Sequence, residues 1–158
     1  MVKGHIVLAF ALVLSGATAA AAQEVHTYPG SSCQASGSAQ DLYYSGVTVA
    51  NRGNSTRSAV CPIVRADVLD AWTLIQVYVH DRHSSQNVTC VAQARHQDGT
   101  AAWSQTESTA GEGAQSLFFG PPAGAVPNFG PYVIVCSIPP MEEVNQPSYI
   151  SSYVVEEL

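Results

Sequence analysis

The chain has 158 residues, only 11% of them charged, and a formal net charge of −6. That length suits one domain with a real core. An acidic chain with no basic stripe repels phosphate backbones, which speaks against nucleic acid as a partner.

Residues 1–22 read as a signal peptide. "MVKGH" carries one lysine, "IVLAFALVL" is too short to span a bilayer as a stable helix, and Ala20-Ala21-Ala22 meets the small-residue rule for cleavage before Gln23. The rival reading, an N-terminal membrane anchor, lacks a positive stop-transfer flank. Cleavage leaves residues 23–158 as a single β-sandwich domain, with five arginines against twelve carboxylates, a net charge of −7 and no membrane span. Four cysteines remain, Cys33, Cys61, Cys90 and Cys136. An even count in an exported chain points to two disulfides. No pair has C-x-x-C spacing, so a zinc site made of all four thiolates is disfavoured.

The segment "QEVHTYPGSSCQASGSAQD" reads as a loose entry tied down by Cys33. Alternation then recurs while helical periodicity is nearly absent. "VTVAN" puts Val47 and Val49 on one face, and "SAVCPIVR" aligns Ala59, Cys61 and Ile63. Pro62 inside the latter marks an edge strand or a bulge. "WTLIQVYVH" is rich in β-branched and aromatic residues. "NVTCVAQARH" sets Val88, Cys90, Ala92 and Ala94 toward the core. Asp98-Gly99 in "QDGT" is a hairpin signal. "TAAWSQTES" and "QSLFF" are shorter strands, and "GPPAGAVPNFGP" is a Gly/Pro loop. "YVIVCSI" is apolar on both faces, as a central strand requires, and "SYISSYVVEE" closes the chain. Seven to eight short strands with frequent turns predict an all-β, antiparallel β-sandwich, disulfide-bonded, with a barrel as the alternative. Cys90 and Cys136 both fall mid-strand on inward faces. A bridge between them is expected, which leaves Cys33 to pair with Cys61; spacing alone permits all three connectivities.

Three of the five histidines lie between Tyr78 and Gly99. With 72–80 and 87–96 read as a hairpin, His80 and His83 sit at its loop end and His96 at the other. At about 3.3 Å per residue the two ends stand nearly 30 Å apart, so no single metal can join them. Two smaller sets remain: a weak transition-metal site at His80, Asp81 and His83, and a calcium site from Asp67, Asp70, Asp98 and His96. Both are outweighed by ordinary polar loops, because no D-x-D-x-D-G pattern supports calcium and Asp81 suits a side-chain turn. No metal and no cofactor is expected.

No catalytic residue stands out. G-x-S-x-G, P-loop and dinucleotide fingerprints are absent, and nothing selects two catalytic carboxylates among Glu107, Glu112, Glu142 and Glu143. Trp103, Tyr43 and Tyr44 are candidate ligand-stacking residues, while Trp72 is expected in the core. Asn54 and Asn87 match glycosylation acceptors that matter only in a eukaryotic secretory route.

The runs "YYSGVTVANR", "VCPIVR", "VYVHDR", "NVTC", "YVIVCSIPP" and "YISSYVVEE" resemble small exported bacterial proteins of no assigned activity. The resemblance implies export and a bacterial source, and it transfers no site residue. The expectation is a secreted, non-catalytic module that binds a glycan or a protein. A small secreted hydrolase and a structural component of an envelope or matrix are the alternatives.

Overall fold

The computed structural model describes residues 23–37, 42–65, 72–121 and 130–157. The expected signal peptide, Asp67, Asp70 and most of the 120–131 loop lie outside the described residues. Eleven strands form: β1 (Glu24–Pro29), β2 (Gln34–Ala35), β3 (Leu42–Ser45), β4 (Thr48–Asn51), β5 (Arg57–Ile63), β6 (Trp72–Asp81), β7 (Thr89–Arg95), β8 (Ala101–Ser108), β9 (Gly113–Phe119), β10 (Tyr132–Ile138) and β11 (Tyr149–Glu157).

They make the expected antiparallel sandwich. The larger sheet runs β3-β4-β11-β6-β9, with β1 also paired to β11; the smaller runs β2-β5-β10-β7-β8. The strand count exceeds expectation because the segment read as a loose entry contains β1 and β2, and Leu42–Ser45 just after it forms β3. β1 pairs with β11 along its whole length, from Glu24↔Glu157 to Pro29↔Ser152. One edge of β11 is thus shared: β4 takes Tyr149 and Ile150, and β1 takes Ser152 to Glu157, with Ser151 between them. The chain turns at Gly30–Ser32 between them. There a Cβ on Gly30 would lie 2.2 Å from the Ile150 carbonyl oxygen, so only glycine fits.

The hairpin expected between 72–80 and 87–96 does not form. β6 lies in the larger sheet between β11 and β9, whereas β7 lies in the smaller one between β10 and β8. The intervening stretch crosses the sandwich, and side chains rather than a ladder satisfy its amides. The N–H of Arg82 donates to Ser148 Oγ and that of Val88 to the Asp81 carboxylate.

The core lies between the sheets, where period-two burial aligns large residues of β6 (Ile75, Val77, Val79) and small ones of β7 (Cys90, Ala92, Ala94). Each buried Ile or Val contributes about 1.5–3 kcal/mol. Both disulfides lie on the inner face of the smaller sheet. Cys90 is directly opposite Cys136 across β7 and β10, with Cα atoms 4.0 Å apart. Cys33 bonds Cys61 at the entry to β2, with Cα atoms 3.9 Å apart. Pro62 lies beyond the two-residue pairing of β2 with β5, where that edge of the ladder is open and a missing N–H costs nothing.

Along the β8–β9 side, the Gln105 side-chain amide bridges the two sheets. It donates to the Phe118 carbonyl and accepts from the Gly120 N–H, replacing a ladder rung that the sheets themselves do not make.

Candidate functional site

The outer face of the larger sheet carries a shaped surface. Register places Tyr43, Ala50, Tyr149, His80 and Ala114 in one row across β3, β4, β11, β6 and β9. Alternation points all five away from the core. Next to this row, β11 carries one extra residue: Ile150 faces Val79, Ser152 faces Tyr78, and Ser151 is the bulge between them. Its hydroxyl donates to the Tyr78 carbonyl. Bulges re-aim side chains and often border sites.

The consequence is a trough. Its middle is a hollow of about 300 Å³ with Tyr78, His80 and Tyr149 as walls and Ala114, Ser116 and Ser151 as a low floor. The hollow exists because outward positions of β9 and β11 carry alanine and serine while their neighbours carry rings. The His80 and Tyr149 rings stack, with centroids 5.2 Å apart, and the Tyr149 hydroxyl lies 3.2 Å from His80 Nδ1. Burial, then the Arg82 charge, holds the His80 pKa below its ordinary 6.5, so the ring is neutral at pH 7.

A polar hollow of about 410 Å³ adjoins the middle through His80, with Arg82, Glu112, Glu142, Glu143 and Gln146 around it. A third, of about 460 Å³, adjoins through Ser151 and is lined by Thr27, Tyr28, Pro29 and Val47. The trough therefore crosses the strands, polar at one end and apolar at the other.

The polar end is firmly built. Asp81, completely buried, accepts from the His83 and Val88 N–H groups and from the hydroxyls of Thr109 and Ser148. Four donors saturate this carboxylate, which serves the fold rather than a metal. Glu142 accepts from the Ser84 N–H and hydroxyl, each at 2.7 Å, and these bonds hold its pKa below the usual carboxylate value. Arg82 donates to Gln146 at 3.0 Å. His83 is buried, and its Nδ1 accepts from the Ser85 and Gln86 N–H groups. Its ring proton is therefore on Nε2, and the Glu142 oxygen 3.3 Å from Nδ1 faces a lone pair rather than forming an ion pair.

Of the histidines in the sequence cluster, only His80 borders the trough. His83 supports the 82–88 crossing. His96 opens the β7–β8 turn, where Asp98 accepts from the Thr100 N–H and hydroxyl. Those bonds hold the Asp98 pKa down. Among the described residues no group of three or more His, Cys, Asp or Glu is arranged for a metal ion.

The three aromatic candidates from sequence do not gather. Tyr43 points outward, and the Arg52 guanidinium covers one ring face at 3.5 Å from the centroid. Tyr44, opposite the buried Val49, points to the other side of the sheet. Trp103 is half-buried and meets Trp72 edge-on, with centroids 4.9 Å apart. Tyr78 and Tyr149 were not singled out from sequence. The available signal was the outward parity of Tyr78 in "WTLIQVYVH" and the serine pair in "SYISSYVV".

No protein-family model and no curated protein sequence matches the chain. Solved structures do. A low-affinity xylan-binding module, CBM86, from the gut symbiont Roseburia intestinalis has a TM-score of 0.52 at 11% identity, covering 87% of this chain and 96% of that one. The xylan-binding module CBM15 has a TM-score of 0.51 at 18% identity, covering 85% and 97%. At these identities the likeness is one of fold.

Proposed function

We propose that the chain is a secreted, non-catalytic glycan-binding domain whose ligand lies in the trough on the larger sheet. The observation that carries this is the pairing of ring walls (Tyr78, Tyr149, His80) with a floor of alanine and serine. A sugar ring has apolar C–H faces and a polar rim. Aromatic rings cover the former, and hydroxyls and carbonyls at the trough floor meet the latter. The rings stand on strands of a disulfide-braced sandwich, which positions them more firmly than loops do.

Two bonded cysteine pairs and the leader expected at 1–22 support export. The two structural relatives named above are described as xylan-binding, which supports sugar as the ligand class. Glycoside hydrolysis fits less well. Its general acid needs a raised pKa, whereas Glu142 is shifted the opposite way and Asp81 has its oxygens fully engaged.

Affinity electrophoresis of the mature protein in gels containing xylan, mixed-linkage glucan or mannan tests the reading. Retardation by at least one polymer, weakened several-fold in Tyr78→Ala and in Tyr149→Ala, is the expected result. Migration unchanged in every gel sinks it, as does retardation that both variants retain undiminished.

A further inference from the structure

We infer that the ligand is an uncharged glycan chain of about four rings or more, laid across the strands rather than along them. This rests on the glycan reading above and adds length, charge and direction to it. The three hollows lie next to one another, with His80 lining both the polar and middle ones and Ser151 both the middle and apolar ones.

Its length follows from the sheet. From β9 to β4 there are three inter-strand steps, and Tyr149 to Ser152 advances three residues along β11. At about 4.8 Å per step and about 3.3 Å per residue the diagonal is roughly 17 Å, room for about three sugar rings of roughly 5 Å each, and the polar end adds room for a fourth. A disaccharide would leave one end empty. Both ends are rimmed by exposed residues, Thr27 and Val47 at one and Glu112 and Glu143 at the other, so a longer chain can continue past either.

Charge selects against acidic chains. The polar end brings Glu112, Glu142 and Glu143 together with one cation, Arg82, which already donates to Gln146. The whole chain carries −6. A polyuronate would be repelled both locally and by the summed field.

Titration calorimetry with xylo- and cello-oligosaccharides of two to six rings, and with oligogalacturonate of matched length, tests the inference. In whichever neutral series binds, affinity is expected to rise at least about tenfold between the dimer and the tetramer, roughly 1.4 kcal/mol, and to level off by six. Val47→Gln and Val47→Glu, at the far apolar end, are expected to weaken the tetramer and hexamer several-fold. Equal affinity for dimer and tetramer overturns the inference while leaving glycan binding intact. Oligogalacturonate binding as tightly as the neutral chain also overturns it. Failure of every oligosaccharide, together with unretarded migration in all polymer gels, removes the glycan reading itself.

Discussion

Ser148, just before β11, donates its hydroxyl to the buried carboxylate of Asp81 at the end of β6, across 3.1 Å. The same hydroxyl accepts from the Arg82 N–H at 2.9 Å. Asp81 also holds the Val88 amide, entering β7, and the Thr109 hydroxyl, leaving β8. One side chain thus ties together four segments from both sheets, and three of them frame the polar end of the trough. The geometry of the polar end is inherited from a buried structural carboxylate.

Asp81→Asn tests that dependence. An amide in place of one oxygen turns donors toward the donors of Val88 and Thr109 or of His83 and Ser148. Leaving a buried polar group unpaired costs about 1–3 kcal/mol, and more than one is affected here. The expected loss is about 3 kcal/mol of unfolding free energy, read from the urea midpoint at unchanged slope. A loss below about 0.5 kcal/mol, the range of ordinary surface substitutions, would contradict the central role given to this carboxylate.

The disulfides differ in what they hold. Cys90–Cys136 spans 46 residues and joins two inner strands, whereas Cys33–Cys61 spans 28 and secures the two-residue strand β2. Loop-closure entropy gives both similar global contributions, about 4 and about 3.5 kcal/mol. Local behaviour should separate them. Cys33→Ala with Cys61→Ala is expected to speed amide exchange at Ser36, which donates to Ser58 beside β2, well beyond the global loss of stability. Cys90→Ala with Cys136→Ala should accelerate exchange throughout the smaller sheet.

Gly30→Ala addresses the handover from β4 to β1 along β11. The new methyl would sit 2.2 Å from a backbone oxygen, and backbone cannot rotate aside as a flexible side chain can. Overpacking of this kind costs about 1–3 kcal/mol. The variant is expected to lose that stability, with β1 detaching from β11 first. Hydrogen exchange at Thr27 and Val155 reports the detachment. A variant of unchanged stability would mean the junction is looser than its geometry.

Alternation alone made the two-sheet architecture legible. The inward sets Val88–Cys90–Ala92–Ala94 and Ala59–Cys61–Ile63 are buried as read, and the doubly apolar "YVIVCSI" is central in its sheet. Strand partners were not legible. "WTLIQVYVH" and "NVTCVAQARH" look like a hairpin because they are close in sequence, yet each pairs with strands contributed by the C-terminal half. The deciding feature, a buried aspartate that satisfies the crossing, resembles any loop aspartate in sequence. The site was legible only in part. Tyr43 and Tyr44 are adjacent in sequence and therefore on opposite faces. Tyr78 and Tyr149 are 71 positions apart in sequence, and only register across β6 and β11 brings them to one trough.

Outward rings should separate binding from folding. Tyr78 is 36% exposed and supports no buried neighbour by hydrogen bond from its side chain among the described residues. Tyr78→Ala is therefore expected to change unfolding free energy by no more than about 0.5 kcal/mol. The same change should cost about 1 kcal/mol of glycan binding, roughly fivefold in Kd. Parallel denaturation and calorimetry on one preparation measure both. A variant that loses both in proportion would mark Tyr78 as structural.

Acid should open the clip between the 82–88 crossing and the loop before β11. Glu142 accepts both Ser84 bonds only as a carboxylate, and those bonds hold its folded pKa below the ordinary 4.5. The unfolded chain therefore binds the proton more readily. The clip's contribution is complete above about pH 4.5 and fades as pH falls through the lower folded value. The group is exposed, so the signature is local. The Ser84 amide proton shift should stay constant from pH 7 to 5 and then move with a midpoint below 4.5. Glu142→Gln, which keeps an acceptor but removes the charge, should abolish that step. A midpoint at or above 4.5, or a step that survives the substitution, would show that Ser84 answers to another group.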